Sequence, residues 1–556
     1  IEALKSVYGA HPGNRNKTAV GSVKSMIGHT KAAAGAAGLI KTALALNHKV
    51  LPPTLKAEET DPELHLEASP FFINSVTRPW LPPQGHPRRA AVSSFGFGGS
   101  NFHLILEEYA SEKTRVSWDG SVEIFAFSAK DRTALSRKLA KVEKSFDDPL
   151  SDPADVNRLA AHTRREFSVE ATCRMVFVYE MSGKPAQDLK QLNGILQAAL
   201  AILADAGHNQ IPLKSQKIYF SDQPKPGKLA FIFPGQGSQY LNMGRDLSCT
   251  FPEALNAFAL TDSLTGRGNP ISTSVFPAGP GDPKTNKRLQ ETLNRTDISQ
   301  PAIGSISLAL SDILQRFGIH PEAACGHSYG ELTALYAAGW MNRETLMTLS
   351  AIRGRAMAET SESGPQGAML AVKASIDDLE TIVADIPDVV LANMNSPEQN
   401  VLSGPFRGIE RVEKLLSRKG LRSIKLPVSA AFHSPLIQAA QKTFDGAVQT
   451  ADLHPSTIPV FANSSGSPYE NNAAEAKNRL SRQMLQPVRF VDVIENMYAA
   501  GVRTFLEVGP KNVLTGLVKS ILPLNSFQAM ALDASCGKQF GIRDLACVLS
   551  ELACLG

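Results

Sequence analysis

Residues 322–340 read EAACGHSYGELTALYAAGW, in which small apolar residues lead into GHSYG at 326–330 and a helix-like segment follows. GxSxG between a strand and a helix is the pattern of a nucleophile elbow, because glycines permit a turn that a Cβ would obstruct. The pattern predicts that the Ser328 hydroxyl is exposed at the edge of an α/β sheet. In a chain with 41 glycines, a plain glycine-rich turn explains the motif equally well.

A serine hydroxyl attacks at neutral pH only when a general base accepts its proton. The best candidate base is His433, which follows a strand-like run in VSAAFHSPLI, and its competitors are His454 and His103. A hydrogen-bonded structural histidine is the commoner situation for any one of them. The nucleophile hypothesis for Ser328 therefore needs further support.

Acyl transfer to a serine also needs N–H donors that stabilise the oxyanion. The stretch FIFPGQGSQ at 231–239 ends a strand in a glycine turn that could direct backbone N–H groups outward. A phosphate-binding loop or a plain turn is the alternative interpretation. The stretch lacks the lysine of a P-loop and the full GxGxxG spacing, which argues against a nucleotide site.

Composition bounds the classes of protein that this chain can belong to. Its 556 residues suffice for about three to four domains, and 43% hydrophobic with 20% charged residues is typical of globular domains with sizeable cores. The net charge of +4 is too weak to indicate a nucleic-acid partner. Six cysteines without metal-ligand spacing predict reduced thiols, a cytoplasmic location and no metal site.

Two further features concern the ends of the chain and the membrane. No run of about 18 apolar residues occurs, so we expect no membrane span. The chain opens at Ile1 within helix-like sequence, with neither a starting methionine nor a signal peptide. We therefore expect a piece of a longer protein.

The pattern of strands and helices divides the chain. Short apolar strands alternate with longer helical segments from Leu229 to about 520, which predicts an α/β domain with a parallel sheet. Three strand-like runs with helices at 376–384 and 406–419 indicate a subdomain inserted in it. Upstream of this domain the pattern of elements changes, and an amphipathic helix with Asp131 as its N-cap is predicted there. The predicted segments are 1–109, 110–227, 228–520 with the insertion at about 366–430, and a tail at 521–556.

Six stretches occur in the order found in one family: FPGQGSQY, GHSYGE, RGRAM, NSPEQNVLSG, AAFHSP and EVGPKNVLTGL. Over roughly 228–520 the chain resembles acyl-carrier-protein acyltransferases of the malonyl-CoA:ACP transacylase type, as found inside polyketide and fatty acid synthases. The resemblance implies an α/β-hydrolase-like core with an inserted ferredoxin-like subdomain. The GHSYGE and VKSMIGH variants look more like iterative polyunsaturated fatty acid and enediyne-type synthases than like modular ones.

The resemblance also implies roles for individual residues. The implied roles are nucleophile for Ser328, general base for His433, oxyanion donors for the Gln236 and Tyr329 backbone N–H groups, carboxylate anchor for Arg353, orientation of His433 by the Gln483 backbone carbonyl, and a place near the pocket for Asn395. Arginine suits a carboxylate because its guanidinium forks over both oxygens, although a surface ion pair is the alternative for Arg353. No acidic triad member is evident, in agreement with the family's Ser–His dyad.

The implied reaction is a ping-pong transfer that needs no bound cofactor. Malonyl passes from coenzyme A to Ser328 as an ester, and then to the phosphopantetheine thiol of an acyl carrier protein. The sequence Ala431-Phe432-His433 goes with malonyl in the family, since Phe432 fills the space of a 2-methyl group. One methyl is worth only about 1–3 kcal/mol of discrimination. Ala430 stands where the malonyl pattern often has histidine, which weakens this preference slightly.

The first 109 residues resemble the C-terminal part of a β-ketoacyl synthase of the thiolase fold, through GSVKSMIGHTKAAAGAAGLIK and SSFGFGGSNFHLILEE. His29 matches a catalytic histidine of that family and Lys24 the nearby lysine. The family's nucleophilic cysteine and first histidine have no counterpart here, so the condensing site is incomplete. Half of such a fold would expose a large apolar face. The implied partners are the upstream ketosynthase half and an acyl carrier protein, within a homodimeric synthase.

Residues 110–227 take the place of the small α/β linker domain between the two enzymes, and we interpret them as a rigid spacer. Two other functions remain open. A serine hydrolase such as a thioesterase would use the same Ser–His pair, but it would have no need of Arg353 and would usually show an acidic triad member. A non-catalytic docking fragment would keep the motifs only for packing.

Overall fold

A computed structural model describes most of the chain. The described residues are 2–8, 18–57, 59, 61–66, 69–144, 153–204, 217–265, 270–279, 282–363, 367–428 and 430–556. Within these residues, no helix is both long enough and apolar enough to cross a membrane.

The N-terminal block is built around one helix and one hairpin. Its elements are α1 (Glu2–Tyr8), β1 (Thr18–Val20), α2 (Lys24–Ile27), α3 (Ala34–His48), β2 (Val50–Leu51), β3 (Phe71–Ile73), β4 (Arg78–Pro79), β5 (Arg89–Phe95) and β6 (Asn101–Glu107). Strands β5 and β6 pair antiparallel, and α3 packs on β5. A Cβ on Gly35 or Gly38 would lie 3.1 to 3.2 Å from Ser94 or Val92, so close packing explains both glycines.

The hairpin leaves large apolar side chains at the surface, as expected for half of a larger fold. The exposed side chains are Phe95, Phe97, Phe102, Leu104 and Ile105. So many exposed apolar side chains on one hairpin are unusual for a free surface and mark an interaction site.

The linker block is a separate α/β layer. Its elements are β7 (Val122–Ala129), α4 (Arg132–Lys144), α5 (Pro153–Arg165), β8 (Cys173–Glu180), α6 (Pro185–Ala204) and β9 (Ile218–Ser221). The three strands pair antiparallel in the order β7-β8-β9. Asp131 Oδ1 accepts the Ala134 N–H at 2.7 Å, which confirms the predicted N-cap of α4. Phe125 and Phe177 stack with ring centroids 5.0 Å apart in its core.

The C-terminal block begins with the strands and helices that carry the serine motif. These are β10 (Lys228–Phe233), α7 (Arg245–Thr250), α8 (Pro252–Thr265), α9 (Ile271–Val275), α10 (Pro283–Leu293), α11 (Thr296–Arg316), β11 (Ala323–Gly326), α12 (Gly330–Ala337) and α13 (Arg343–Ser363). Helix α11 lies against both α8 and α13 and is almost entirely buried.

The insertion follows α13 and forms its own sheet. It consists of β12 (Gly367–Lys373), α14 (Ile376–Val383), β13 (Val390–Ser396), β14 (Gln399–Pro405), α15 (Phe406–Arg418) and β15 (Ser423–Lys425). The antiparallel order β13-β14-β12-β15 with two helices is the ferredoxin-like βαββαβ arrangement. The sequence predicts three strands here, whereas the structure has four. The middle run turns at 397–398 and becomes the β13–β14 hairpin.

The chain then returns to the main sheet. The remaining elements are α16 (Gln438–Thr450), β16 (Val460–Phe461), α17 (Ala473–Arg482), α18 (Phe490–Ala499), β17 (Val502–Glu507), α19 (Val513–Ile521), β18 (Gln528–Ala531) and α20 (Gly541–Leu555). The five strands are all parallel in the order β16-β11-β10-β17-β18, as the alternation predicts. Phe231, Ile232 and Phe233 are buried because helices cover both faces of the sheet.

Residues 521–556, predicted as a tail, pack against both the main sheet and the linker block. Strand β18 extends the main sheet beyond β17, and α20 packs on the linker strands β7, β8 and β9. The four-residue strand QAMA is too short to show a period in the sequence. The last helix therefore ties the C-terminal block to the linker block.

One buried arginine fastens this helix. Arg174, on β8, donates hydrogen bonds to the carbonyl oxygens of Cys554 at 2.7 Å and Gln223 at 2.7 Å, and to those of Val169 and Ala171 at 2.9 Å. Cations are favoured at a helix C-terminus, where the last carbonyls lack partners. The Arg174 guanidinium thus satisfies the end of α20 together with two loops of the linker block.

We expect Arg174→Ala to lower the free energy of unfolding by at least about 2 kcal/mol, because each buried carbonyl left without a donor costs about 1–3 kcal/mol. Hydrogen exchange should also rise within residues 541–555. The matched control is Arg158→Ala, since Arg158 is 68% exposed and, among the described residues, pairs only with Asp155 one helical turn away. It should change stability by less than about 0.5 kcal/mol. Equal effects of the two substitutions would contradict the role of Arg174.

Candidate active site

The turn between β11 and α12 has the backbone of a nucleophile elbow. Ser328 lies at φ 52°, in the left-handed region that costs a non-glycine residue about 1–2 kcal/mol. A Cβ on Gly326 would come 1.9 Å from the Gly330 carbonyl carbon, and one on Gly330 would come 2.1 Å from the Phe233 oxygen. Both glycines of the motif are therefore required by close backbone contact.

The structure brings His433, which follows the insertion in the chain, to this serine. The Ser328 Oγ lies 2.7 Å from His433 Nε2. His433 Nδ1 lies 2.9 Å from the carbonyl oxygen of Gln486. A carbonyl only accepts, so Nδ1 carries the proton and Nε2 accepts the serine O–H. His433 is therefore held in the tautomer that a general base requires.

The environment keeps this histidine neutral. Its side chain is 4% exposed, and burial together with the charge of Arg353 lowers the pKa of His433 to about 3. The base form is then present throughout the neutral range. Carbonyl contacts from Gln486 and Gln483 act in the opposite direction but are weaker.

The Gln483 carbonyl predicted to orient His433 contacts the ring only weakly, and the carbonyl of Gln486 is nearer. The 2.9 Å hydrogen bond to Nδ1 comes from Gln486, not from Gln483. Residues 483–485 form a short 3-10 turn, which places the carbonyl of the following residue nearest the ring. The Gln483 side chain has another position: its Nε2 donates to the Ser328 carbonyl oxygen at 2.6 Å, and its Oε1 accepts from Arg353 at 3.2 Å.

The two N–H groups predicted for the oxyanion lie on adjoining turns. A Cβ on Gly235 would be 2.4 Å from the His327 carbonyl oxygen and 3.6 Å from the Tyr329 nitrogen, so the turn after β10 lies against the elbow. In the described part of the chain, neither the Gln236 nor the Tyr329 backbone N–H donates a hydrogen bond. Both donors are thus available beside Ser328.

Arg353 is buried in the same site. It lies on α13, is 1% exposed, and faces the Tyr329 ring at 6.0 Å. Among the described residues no carboxylate forms an ion pair with it; Met357 Sδ at 3.4 Å and Gln483 are its hydrogen-bond acceptors. Burial lowers the pKa of Arg353 to about 10, so it stays charged at neutral pH. A buried cation without a paired anion is unfavourable unless a ligand supplies the anion.

Two other predicted residues lie close to the dyad. Asn395, on β13, accepts a hydrogen bond from His327 Nε2 at 2.6 Å. Phe432 is buried directly before His433. Phe432 therefore precedes the base in the chain as a buried residue, and Asn395 brings the insertion into contact with the elbow.

The remaining candidates lie outside this site. His454 is exposed beside Asp452, and His103 is on the exposed hairpin with Ser93. Lys24 and His29 are both exposed, and His29 Nδ1 accepts the backbone N–H of Lys31 at 3.0 Å. His433 is therefore the one of the three candidate bases that reaches Ser328.

Sequence reasoning missed three residues in contact with the elbow or its base: Gln486, Glu331 and Asn463. Glu331 is fully buried on α12 and accepts hydrogen bonds from the Tyr469 hydroxyl and the Asn463 backbone N–H. Glu331 stands directly after GHSYG, which was a signal that could have been used. Asn463 lies far from any motif residue in sequence.

The fold and the site define a class. A serine at an elbow, a neutral histidine and two available N–H groups can form and cleave an acyl ester. The arrangement, on a parallel sheet with a ferredoxin-like insertion, is that of serine-dependent acyl-transfer enzymes.

The comparison with family models gives the particular family. The acyl transferase domain model matches residues 230–538, more than half of the chain, and the chain therefore belongs to the acyl transferase family. The C-terminal domain of β-ketoacyl synthases matches residues 1–58, and the ketoacyl synthetase C-terminal extension matches 61–170. The chain thus combines the C-terminal part of a ketosynthase, its extension and an acyl transferase. The extension model crosses the boundary predicted at 109.

Relatives of known name are multidomain synthases. The chain is 33% identical to one polypeptide of the polyunsaturated fatty acid synthase of a Thraustochytrium species, over 96% of this chain and 19% of that protein. It is 32% identical to polyketide synthase GfsA of Streptomyces halstedii, over 94% of this chain and 7% of that protein. The chain thus spans about a fifth or less of the length of these two relatives.

Solved structures support the fold. Malonyl CoA-acyl carrier protein transacylase from Clostridium perfringens is 30% identical with a TM-score of 0.51, over 58% of this chain and 98% of that one. The acyltransferase domain of an iterative polyketide synthase in enediyne biosynthesis has a TM-score of 0.58 at 24% identity, over 78% of this chain and 97% of that one. The second likeness shows the fold alone.

The lowered pKa of His433 predicts how the reactivity of Ser328 depends on pH. A neutral fluorophosphonate that labels the serine should react at rates within about twofold between pH 5 and pH 8, because the base is already unprotonated. A histidine with the ordinary pKa of about 6.5 would lose about 30-fold over that range. Labelling is measured by intact mass, with Ser328→Ala as the unlabelled control. A tenfold fall towards pH 5 would contradict the prediction.

Proposed function

We propose that this chain transfers malonyl groups from malonyl-CoA, through an ester on Ser328, to the phosphopantetheine thiol of an acyl carrier protein. The observation that carries the proposal is Arg353, a buried cation beside the Ser–His pair that forms no ion pair with a carboxylate of the described residues; Glu331 acts on it only through its longer-range charge. The free carboxylate of a malonyl group would supply the paired anion. Several relatives with solved structures are named malonyl-CoA:acyl carrier protein transacylases, which supports the same substrate.

The first half-reaction loads the serine. Ser328 Oγ attacks the thioester carbonyl carbon of malonyl-CoA while its proton passes to His433 Nε2. The N–H groups of Gln236 and Tyr329 stabilise the oxyanion of the tetrahedral intermediate. The C–S bond then breaks, and the coenzyme A sulfur takes the proton from His433. Malonyl remains as an ester on Ser328.

The second half-reaction uses the same groups in reverse. His433 accepts the proton of the phosphopantetheine thiol, and the thiolate attacks the ester carbonyl carbon. Ser328 Oγ leaves and recovers a proton from His433. Coenzyme A and the phosphopantetheine arm enter only as substrates, so no bound cofactor takes part in either half-reaction.

Phe432 favours malonyl over its 2-methyl homologue. Its buried ring, one residue before His433 in the chain, would take the volume that a methyl group on the α-carbon requires. Because one methyl is worth about 1–3 kcal/mol in an apolar pocket, methylmalonyl-CoA would be disfavoured by about 10- to 200-fold. Asn395 lines the approach from the insertion.

The other partners belong to a larger synthase. The exposed apolar side chains of the β5–β6 hairpin are available for the upstream half of the ketosynthase, which would also complete the condensing site around His29 and Lys24. In this proposal the linker block is a rigid spacer, the parent synthase is a homodimer, and its location is cytoplasmic.

Transfer and hydrolysis are separated by the identity of the acceptor. With malonyl-CoA and holo-carrier protein, we expect a malonyl mass shift first on Ser328 and then on the carrier. Ser328→Ala should abolish both shifts, which also excludes a docking fragment without activity. The readout is intact mass spectrometry of both proteins. Rapid release of malonate to water without loading of the carrier would favour the serine hydrolase instead.

Arg353→Ala tests the carboxylate anchor. We expect transfer of malonyl to fall by about 10- to 100-fold, since a hydrogen-bonded partner of a charged group is lost, and transfer of acetyl to be unchanged or faster. Arg355→Ala is the matched control, because Arg355 lies on the same helix but is exposed. Rates are compared for acetyl-CoA and malonyl-CoA. Equal loss for both substrates would show that Arg353 does not bind the carboxylate.

A further inference from the structure

Asn463 is a buried polar residue to which the mechanism above gives no role. It lies two residues after β16, the edge strand that pairs with β11, and is 1% exposed. Its side chain reaches the elbow from the side opposite β10. Its position is therefore set by the sheet that also carries Ser328.

The side-chain amide of Asn463 holds the turn on both sides of His327. Its Oδ1 accepts the Ser328 backbone N–H at 2.6 Å, and its Nδ2 donates to the Gly326 carbonyl oxygen at 2.5 Å. One planar amide thus bridges the last residue of β11 and the serine.

The sheet explains why the turn needs this amide. Pairing of β11 with β16 ends at Cys325 opposite Phe461, so no strand lies beside the turn on that side in the described part of the sheet. On the other side, the His327 N–H donates to the Phe233 carbonyl oxygen of β10 at 2.9 Å. Asn463 therefore replaces a strand at the point where Ser328 enters the left-handed region.

The backbone of Asn463 is fixed in turn. Its N–H donates to Glu331 Oε2 at 3.0 Å, and its carbonyl oxygen accepts the Arg489 N–H at 2.9 Å. Glu331 also accepts from the Tyr469 hydroxyl, and more weakly from Gln483 Nε2 at 3.4 Å. Asn463, whose side chain holds the elbow, is thus itself hydrogen-bonded to the first turn of α12 through Glu331.

We propose that Asn463 is a positioning residue for the nucleophile. Its amide engages the Ser328 N–H, which leaves the Tyr329 N–H as the elbow's donor to the oxyanion, and it holds Ser328 Oγ within 2.7 Å of His433 Nε2. The proposal rests on Ser328 being the acylated residue. It does not depend on which acyl group is transferred.

Two reactions of Ser328 separate positioning from substrate binding. The first is formation of malonyl-Ser328 from malonyl-CoA in a rapid-quench experiment, and the second is labelling by a neutral fluorophosphonate, which carries no carboxylate. For Asn463→Ala we expect both rate constants to fall by about 100-fold, as for a misplacement of roughly 1 Å. The malonyl-CoA concentration at half-maximal rate should change by less than about threefold.

The matched control is Asn400→Ala in the insertion. Asn400 is also 1% exposed, and its Nδ2 donates to the Ala374 carbonyl oxygen at 2.8 Å, remote from the elbow. Asn463→Ala and Asn400→Ala should lower the melting temperature by similar amounts relative to the wild type. Asn400→Ala, however, should keep both reaction rates. Asn463→Asp keeps the acceptor for the Ser328 N–H and loses the donor to Gly326. It should react faster than Asn463→Ala and at least about fivefold slower than the wild type, because one of the two hydrogen bonds is kept.

Three outcomes would overturn the positioning role. These are wild-type rates in the Asn463 variants, loss of malonyl loading with unchanged fluorophosphonate labelling, and equal loss of both reactions in Asn400→Ala. If Asn463→Ala does not fold, the rates of malonyl loading and fluorophosphonate labelling in Asn463→Asp test the positioning role instead. A wild-type protein that is labelled by fluorophosphonate but not by malonyl-CoA would contradict the proposed function instead.

Discussion

The active site depends on the left-handed backbone of Ser328, which is held between two glycines that have no room for a Cβ. This conformation helps to turn the chain from β11 into α12 within residues 327–329 and directs the hydroxyl towards His433. It also removes the serine N–H from the strand ladder, so another group must satisfy it. The Asn463 amide does so, and the neighbouring Tyr329 N–H stays available. The strained residue thus lies beside a backbone N–H that has no acceptor among the described residues.

Glu331, His433 and Arg353 are buried titratable groups near the elbow. Glu331 accepts hydrogen bonds from Tyr469 and Asn463, His433 faces the hydroxyl, and Arg353 lies 6.0 Å from the Tyr329 ring. Burial raises the pKa of Glu331 and lowers that of His433, so each is shifted towards its neutral form. Arg353 keeps its charge, because its intrinsic pKa is far above neutrality even after burial. The site therefore holds one permanent cation beside an unprotonated base.

Local sequence predicted the parts of the site that sit in short motifs. GHSYG specified the elbow because both glycines are dictated by contacts within the turn, and His433 follows a recognisable strand end. The sequence pointed to the Gln483 carbonyl but not to that of Gln486, which lies 2.9 Å from Nδ1, since a 3-10 turn of three residues decides which carbonyl comes nearest the ring. Asn463 was missed because its contact with Ser328 spans 135 residues and arises only from the pairing of β16 with β11.

The same distinction holds for the fold. Alternating apolar runs predicted the parallel sheet, because strands buried on both faces are continuously apolar. The sequence did not reveal β18 or the docking of α20, which depend on a short edge strand and on Arg174 of a different block. Both are contacts between segments far apart in the chain, and no local pattern encodes the partner.

Arg353 links substrate binding to the basicity of His433. Its positive charge is one of the causes that lower the pKa of the histidine, second to burial. A ligand carboxylate bound to the guanidinium would neutralise that charge and raise the pKa of His433 towards its ordinary value. A stronger base would then face Ser328 only when the acyl group is in place. A neutral acyl group such as acetyl would leave the charge of Arg353 uncompensated and the base weaker. Arg353 would therefore favour malonyl over a neutral acyl group in two ways. It would bind the malonyl carboxylate directly, and the bound carboxylate would raise the proton affinity of the base that activates the serine.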